Sequence, residues 1–88
     1  MTVEYLRQFS EDLLRIKDES LKDDLFNAII ALKKAETLNT VSNIKKLKGY
    51  QNAYRIRIGK YRLGFYFEGE VIALARFAKR EDIYKLFP

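Results

Sequence analysis

Residues 54–67, YRIRIGKYRLGFYF, hold the densest set of chemistry-bearing side chains in this 88-residue chain. Arg55, Arg57 and Arg62 stand close together there, interleaved with Tyr54, Tyr61 and Tyr66. Guanidinium forks match the oxygens of a phosphate and keep their charge at any ordinary pH. Such a set can hold an anion and stabilise charge that develops on it, but it cannot take up a proton. Tyrosine beside it can stack an unpaired base. The chain has no histidine and no cysteine, so an imidazole base and a thiolate nucleophile or ligand are both excluded. Any catalysis must come from Lys, Arg, Tyr, Ser, Thr or carboxylates.

The charge balance points to the same segment. Residues 1–40 carry six basic and eight acidic side chains, net −2, whereas residues 41–88 carry eleven basic and four acidic ones, net +7. A chain whose whole positive excess lies in one half suits a polyanionic partner on that half. Lys45, Lys46 and Lys48 lead into the arginines and read as solvated lysines or as non-specific phosphate contacts. The longest apolar runs, 28–32 and 71–75, fall far short of the roughly 20 residues that span a bilayer. The first dozen residues lack the pattern of a signal peptide. The expectation is a soluble cytoplasmic protein with no membrane partner, forming one domain over residues 1–88.

The elements that must position these side chains follow from periodicity. Residues 3–6 suit a short strand. Ser10 is a candidate N-cap, with Leu13, Leu14 and Ile16 giving the first helix its apolar side. Ser20 is the expected cap of a second helix, with Asp23 as the capping-box acid and Leu21, Leu25, Ala28, Ile29 and Leu32 at helical spacing. Residues 37–43 read as a connector and 44–50 as a basic lead-in. Strands are expected over 53–58, 61–67 and 71–78. Gly59-Lys60 would form a two-residue type II′ loop and Glu68-Gly69-Glu70 a three-residue turn. A short helix over 79–87 ends the chain. The fold class is α+β, in the order β-α-α-β-β-β plus the terminal helix, with a helical hairpin packed on one face of an antiparallel sheet.

A Gly59-Lys60 loop fixes the hairpin register. Ile58 then faces Tyr61, Ile56 faces Leu63 and Tyr54 faces Phe65, all on one apolar face. The opposite face sets Arg57 across from Arg62 and Arg55 across from Gly64, with Tyr66 further along. Opposed like charges cost a few tenths to about 1 kcal/mol in a sheet, a sign that a bound anion reverses. A strand glycine leaves room for something to approach the sheet. Solvated arginines on an open sheet face are the plain alternative, but the opposed pair, the glycine, the aromatics and the charge asymmetry favour phosphate. Arg76 joins this face if the second turn preserves parity.

The motifs Leu47-Lys48-Gly49, Tyr54-Arg55-Ile56-Arg57, Gly59-Lys60-Tyr61-Arg62 and Lys79-Arg80 through Ile83-Tyr84 occur in this order and at this spacing. With the element order, they resemble the RelE/ParE superfamily of toxins from type II toxin–antitoxin systems, most closely its RelE-like mRNA interferase branch. The resemblance spans nearly the whole chain. It implies a ribosome-dependent endoribonuclease that inhibits translation, in which the RNA 2′-hydroxyl attacks the adjacent phosphate without metal or cofactor. Arg55, Arg57, Arg62, Arg80 and Tyr84 match its catalytic positions. Lys45, Lys46, Lys48, Lys60, Tyr66, Arg76 and Lys79 are the expected contacts to RNA or ribosome. The implied partners are mRNA, ribosomal RNA and an acidic cognate antitoxin in a hetero-oligomeric complex. RelE itself has lysines where this chain has Arg55 and Arg57. Arginine effectively keeps its proton, so the general base stays open among Lys79, Lys60, Tyr84, Glu81 and Asp82. The last two also suit the dipole of the terminal helix. The alternatives are a ParE-like inhibitor of DNA gyrase and a non-catalytic RNA-binding relative.

Overall fold

The computed structural model describes Met1–Pro88. Strand β1 (Thr2–Tyr5) leads into helices α1 (Arg7–Leu14) and α2 (Glu19–Lys34). Strands β2 (Ile44–Lys46), β3 (Ala53–Ile58), β4 (Tyr61–Glu68) and β5 (Val71–Lys79) follow, and helix α3 (Arg80–Leu86) ends the chain. The strands form one sheet in the order β1-β5-β4-β3-β2. Its pairings are antiparallel except β1 with β5, which is parallel. The sheet is therefore mixed rather than antiparallel, because the first strand returns to the last across the helical hairpin.

Hydrophobic alternation sorts the two sheet faces. Ile56, Ile58, Leu63, Phe65, Ile72 and Leu74 point to one side, where Phe9 of α1 and Leu25, Ile29 and Leu32 of α2 complete the main core. Tyr54 stacks on Phe65 and Tyr61 on Phe77 along that core, with ring centroids 5.5 and 5.0 Å apart. A smaller cluster on the opposite face joins Ala53 and Ala75 to Ile83 of α3 and to Phe87, which caps that helix. The sheet is thus covered on both sides, α1 and α2 on one and α3 on the other.

Several boundaries differ from the sequence-based expectation. Helix α1 starts at Arg7, and Ser10 lies within it, donating its N–H to the Leu6 carbonyl at 3.1 Å. The sheet decides this: the Leu6 N–H bonds the Leu74 carbonyl at 3.0 Å, so the β1–β5 ladder runs to the first turn of the helix. Helix α2 is capped by Asp18, whose side chain accepts from the Leu21 N–H, and not by Ser20. The basic lead-in contains a true edge strand, β2, paired with β3. The β4–β5 loop is the two residues Gly69-Glu70, both at positive φ, rather than a three-residue turn.

The β3–β4 hairpin matches its expected register throughout, including Arg57↔Arg62 and Arg55↔Gly64. Gly59 alone of the loop pair has positive φ, as a type II′ turn requires. Between β4 and β5 the register shifts: Phe65 pairs with Leu74 but Gly64 pairs with Arg76, leaving Ala75 as the extra residue of a bulge. The bulge resets the alternation, so Leu74 and Phe77 both enter the main core.

Asp12 fills the edge of β5 beyond the end of β1. Its carboxylate accepts from the Phe77 N–H at 2.9 Å and from Arg76 Nε and Nη2 at 2.8 and 3.1 Å. Both side chains of this pair are largely withdrawn from water, 7% exposed for Asp12 and 16% for Arg76. Removing one partner of a buried ion pair strands the other charge. Asp12→Ala is expected to destabilise the fold by about 3–5 kcal/mol, and Asp12→Asn by less, because the amide oxygen still accepts from the backbone. Urea denaturation measures both, and a loss under about 1 kcal/mol for Asp12→Ala would show the pair to be peripheral.

Candidate functional site

Strand register builds one wall of the site. Lys45, Arg55 and Gly64 lie in one cross-strand row, and Arg57 and Arg62 in the next, on the face turned away from α1 and α2. Helix α3 builds the other wall. Its Ile83 and the Phe87 that caps its end, four residues apart, are buried on the sheet, and Arg80 and Tyr84, also four residues apart, are exposed. The start of α3 is tied to the hairpin loop, where the Arg80 N–H donates to the Lys60 carbonyl at 2.9 Å.

Gly64 is where these walls meet. A Cβ there would stand 2.5 Å from a ring carbon of Phe87. The gap that the strand glycine opens is occupied by the chain's own Phe87, which also packs against Tyr66 with ring centroids 5.0 Å apart. The space was expected to admit a ligand; instead it seats α3.

An open hollow of about 360 Å³ results, lined by Asn43, Lys45, Arg55, Arg57, Arg62, Arg80 and Tyr84 together with Ile44. Three of the four guanidinium groups, those of Arg55, Arg57 and Arg62, are steered by neutral groups. Arg57 Nη2 donates to Asn43 Oδ1 at 3.1 Å, and the same Asn43, at φ +64°, accepts from the Arg57 N–H through its carbonyl. Arg62 Nη1 donates to the Gly59 and Tyr61 carbonyls at 3.1 and 2.8 Å. The guanidinium of Arg55 lies over the ring of Tyr84, 4.7 Å from its centroid.

The ion pairs of the protein are Arg7–Glu11, Lys22–Glu19 and Arg76–Asp12, so Arg55, Arg57, Arg62 and Arg80 have no carboxylate partner. Partial burial, followed by the charges of Arg80, Arg57 and Arg55, pushes the Arg62 pKa below its ordinary value. That direction records how crowded the positive charge is. The Tyr84 phenol is also lowered, first by donors of Arg80 and then by those of Arg55, which favour the phenolate. The arginines that line the hollow keep their protons, whereas the Tyr84 phenol among them can lose one.

The remaining expected site residues lie around this centre. Lys48 lines a smaller hollow that shares Arg55 and Tyr84 with the first. Lys60, Lys79 and Glu81 line another beyond Arg62 and Arg80, and Asp82 faces the far side with Asp12 and Arg15. Lys60, Lys79, Glu81 and Asp82 are four of the five candidate general bases, and none of the four lines the arginine hollow. Lys46 pairs with Tyr54, which puts it on the opposite sheet face from the arginines. Tyr66 is engaged by Phe87, and Arg76 by Asp12, so neither reaches the hollow. The bulge at Ala75 sets Arg76 opposite Gly64, in the row of Arg55 and so on the expected face, but its guanidinium turns to Asp12 at the sheet edge. Asn43 was not anticipated, because a left-handed asparagine before a strand leaves no periodic signature. No cluster of side chains in the chain is suited to hold a metal ion.

Models of known protein families give no match to this chain. Among curated proteins it is 35% identical over 89 aligned residues to Toxin RelE3 of Methanocaldococcus jannaschii, covering all of both chains. Among solved structures it is similar to the toxin of a RelB–RelE antitoxin–toxin complex from Methanococcus jannaschii. That match has a TM-score of 0.81 and 33% identity over 97% of this chain and 99% of the other. The archaeal RelE–RelB complex from Pyrococcus horikoshii gives a TM-score of 0.71 at 19% identity over 90% and 93% of the two chains. The YoeB dimer from Staphylococcus aureus gives 0.70 at 19% over 90% and 94%, a likeness of fold. The mixed sheet with helices on both faces is therefore the toxin fold shared by these structures. By its full-length identity to Toxin RelE3, the chain belongs to the RelE family of toxins.

The lowered phenol of Tyr84 is directly measurable. In a tyrosinate absorbance titration, the difference between wild type and Tyr84→Phe should show one phenol ionising below the ordinary value near 10. A difference curve centred at or above that value would mean that Arg80 and Arg55 do not act on Tyr84.

Proposed function

We propose that this protein is a toxin that cleaves mRNA in the ribosome, and that the arginine hollow holds the scissile phosphate. The observation that carries this reading is the convergence of Arg55, Arg57, Arg62 and Arg80 on one hollow without a carboxylate among them. Four fixed cations facing the same space suit an anion that gathers charge during a reaction. When the RNA 2′-oxygen bonds to the adjacent phosphorus and the bond to the 5′-oxygen breaks, negative charge builds on the phosphorane oxygens. Preorganised donors aimed at those oxygens stabilise that charge most. Arg62, held by two backbone carbonyls, needs little reorganisation to do so.

The 2′-hydroxyl proton needs an acceptor, and the guanidinium groups cannot take it. Tyr84 faces the hollow with its phenolate favoured by Arg80 and Arg55, and we assign it that role. The leaving 5′-oxygen takes its proton from solvent, and the products are a 2′,3′-cyclic phosphate and a 5′-hydroxyl. A cytoplasmic site of action accords with this substrate, and no helix is long and apolar enough to cross a membrane. The RelB–RelE complexes among the relatives suggest an acidic antitoxin as partner, masking the basic hollow in a hetero-oligomer.

Cleavage of mRNA on programmed ribosomes tests the reading. Arg62→Ala and Arg80→Ala should each lower the single-turnover rate by about 100-fold or more, the usual loss for one transition-state donor. The wild-type rate should rise with pH as Tyr84 ionises and level off below the ordinary phenol value, and Tyr84→Phe should abolish the rise. Intact mRNA with wild-type protein, or full rates in both arginine variants, would refute the assignment.

A further inference from the structure

Beside the arginine hollow lies a second one of about 260 Å³, lined by Leu47, Lys48, Tyr50, Arg55, Tyr84 and Phe87 together with Pro88. It shares Arg55 and Tyr84 with its neighbour. We infer that this hollow is a base-binding subsite: an unpaired base of the nucleotide next to the scissile phosphate stacks on Tyr50. The inference rests on the proposed RNA site and adds a residue, Tyr50, that the phosphate chemistry does not use.

The tyrosines make the case. The chain has six. Tyr5, Tyr54, Tyr61 and Tyr66 pack against Phe9, Phe65, Phe77 and Phe87. The other two, Tyr50 and Tyr84, have no ring partner, and both line this hollow. Tyr84 carries the Arg55 guanidinium on its ring, whereas Tyr50 has neither ring nor cation against it and is 49% exposed. Its backbone is nonetheless fixed. Tyr50 N–H closes a turn on the Leu47 carbonyl at 3.4 Å, Gly49 takes φ +83° within that turn, and Leu47 N–H bonds the Ala53 carbonyl at 2.9 Å across the loop. A rigidly mounted, half-exposed aromatic ring next to a phosphate site, with Lys48 on the rim, is the arrangement by which single strands are held: cations for the backbone and a π-face for the base.

The test uses a short RNA with a 2′-deoxy nucleotide at the cleaved position, so that binding is read without cleavage. Affinity is measured by fluorescence anisotropy at low salt. Wild type should bind, and Arg62→Ala should weaken binding, as the phosphate reading requires. Tyr50→Ala should weaken it by about tenfold, the scale of one lost base stack, and Tyr50→Phe should restore it. Replacing each base flanking the phosphate in turn by an abasic nucleotide should locate one position with the same loss in wild type and no further loss in Tyr50→Ala. If Arg62→Ala weakens binding but no abasic position is coupled to Tyr50, the subsite is refuted and the phosphate site stands. If wild type fails to bind, or Arg62→Ala is without effect, the phosphate site falls and the subsite with it. Unchanged RNA binding by Tyr50→Ala, with weakened binding of an acidic antitoxin peptide, would reassign the hollow to protein contact and overturn the inference.

Discussion

Phe87 packs against Gly64 more closely than any residue with a side chain at position 64 would permit, and the site depends on that contact. Four of the lining residues, Lys45, Arg55, Arg57 and Arg62, come from the sheet. The other two that bear on the chemistry, Arg80 and Tyr84, come from a helix of only seven residues, too short to be stable alone. Helix α3 holds its place because Ile83 and Phe87 are buried against Ala53, Ala75 and the bare backbone at Gly64. The small residues on this face of the sheet let the helix sit low enough for its exposed side chains to look across at the arginines.

Concentrated positive charge sets the opposing demand. Arg57 faces Arg62 directly across the hairpin, and Arg80 adds the largest of the neighbouring charges that act on Arg62. No acid within the chain relieves this repulsion; only neutral oxygens of Asn43, Gly59 and Tyr61 hold the guanidinium groups in place. Asp12 shows the alternative. There a carboxylate neutralises Arg76 fully, and that arginine is structural. The contrast separates arginines that complete the fold from those left with charge to spend on a ligand.

How much of this was legible in the sequence follows from the range of each interaction. The hairpin register was readable because a two-residue loop with glycine first fixes parity locally, and each later residue inherits it. The apolar stripe of α2 was readable for the same reason, while its cap was assigned to Ser20 instead of Asp18 because both are good caps two residues apart. The parallel pairing of β1 with β5 joins the two ends of the chain, and nothing in either strand announces it. The bulge at Ala75 decides where Arg76 points, yet it arises from the demand to bury both Leu74 and Phe77. Gly64 was noticed for the space it leaves; that the space belongs to Phe87 needed the third dimension.

Docking of Phe87 at Gly64 assembles the cationic hollow. The most direct measurement is the salt dependence of binding to an uncleavable single-stranded RNA, compared between wild type and Phe87→Ala, with circular dichroism to establish that the sheet persists. Affinity should fall with salt with a slope of about −0.7 per phosphate neutralised. Phe87→Ala removes no charge, yet it should bind more weakly and with a shallower slope, because Arg80 leaves the hollow together with α3. An unchanged slope and affinity in a folded Phe87→Ala protein would contradict the account.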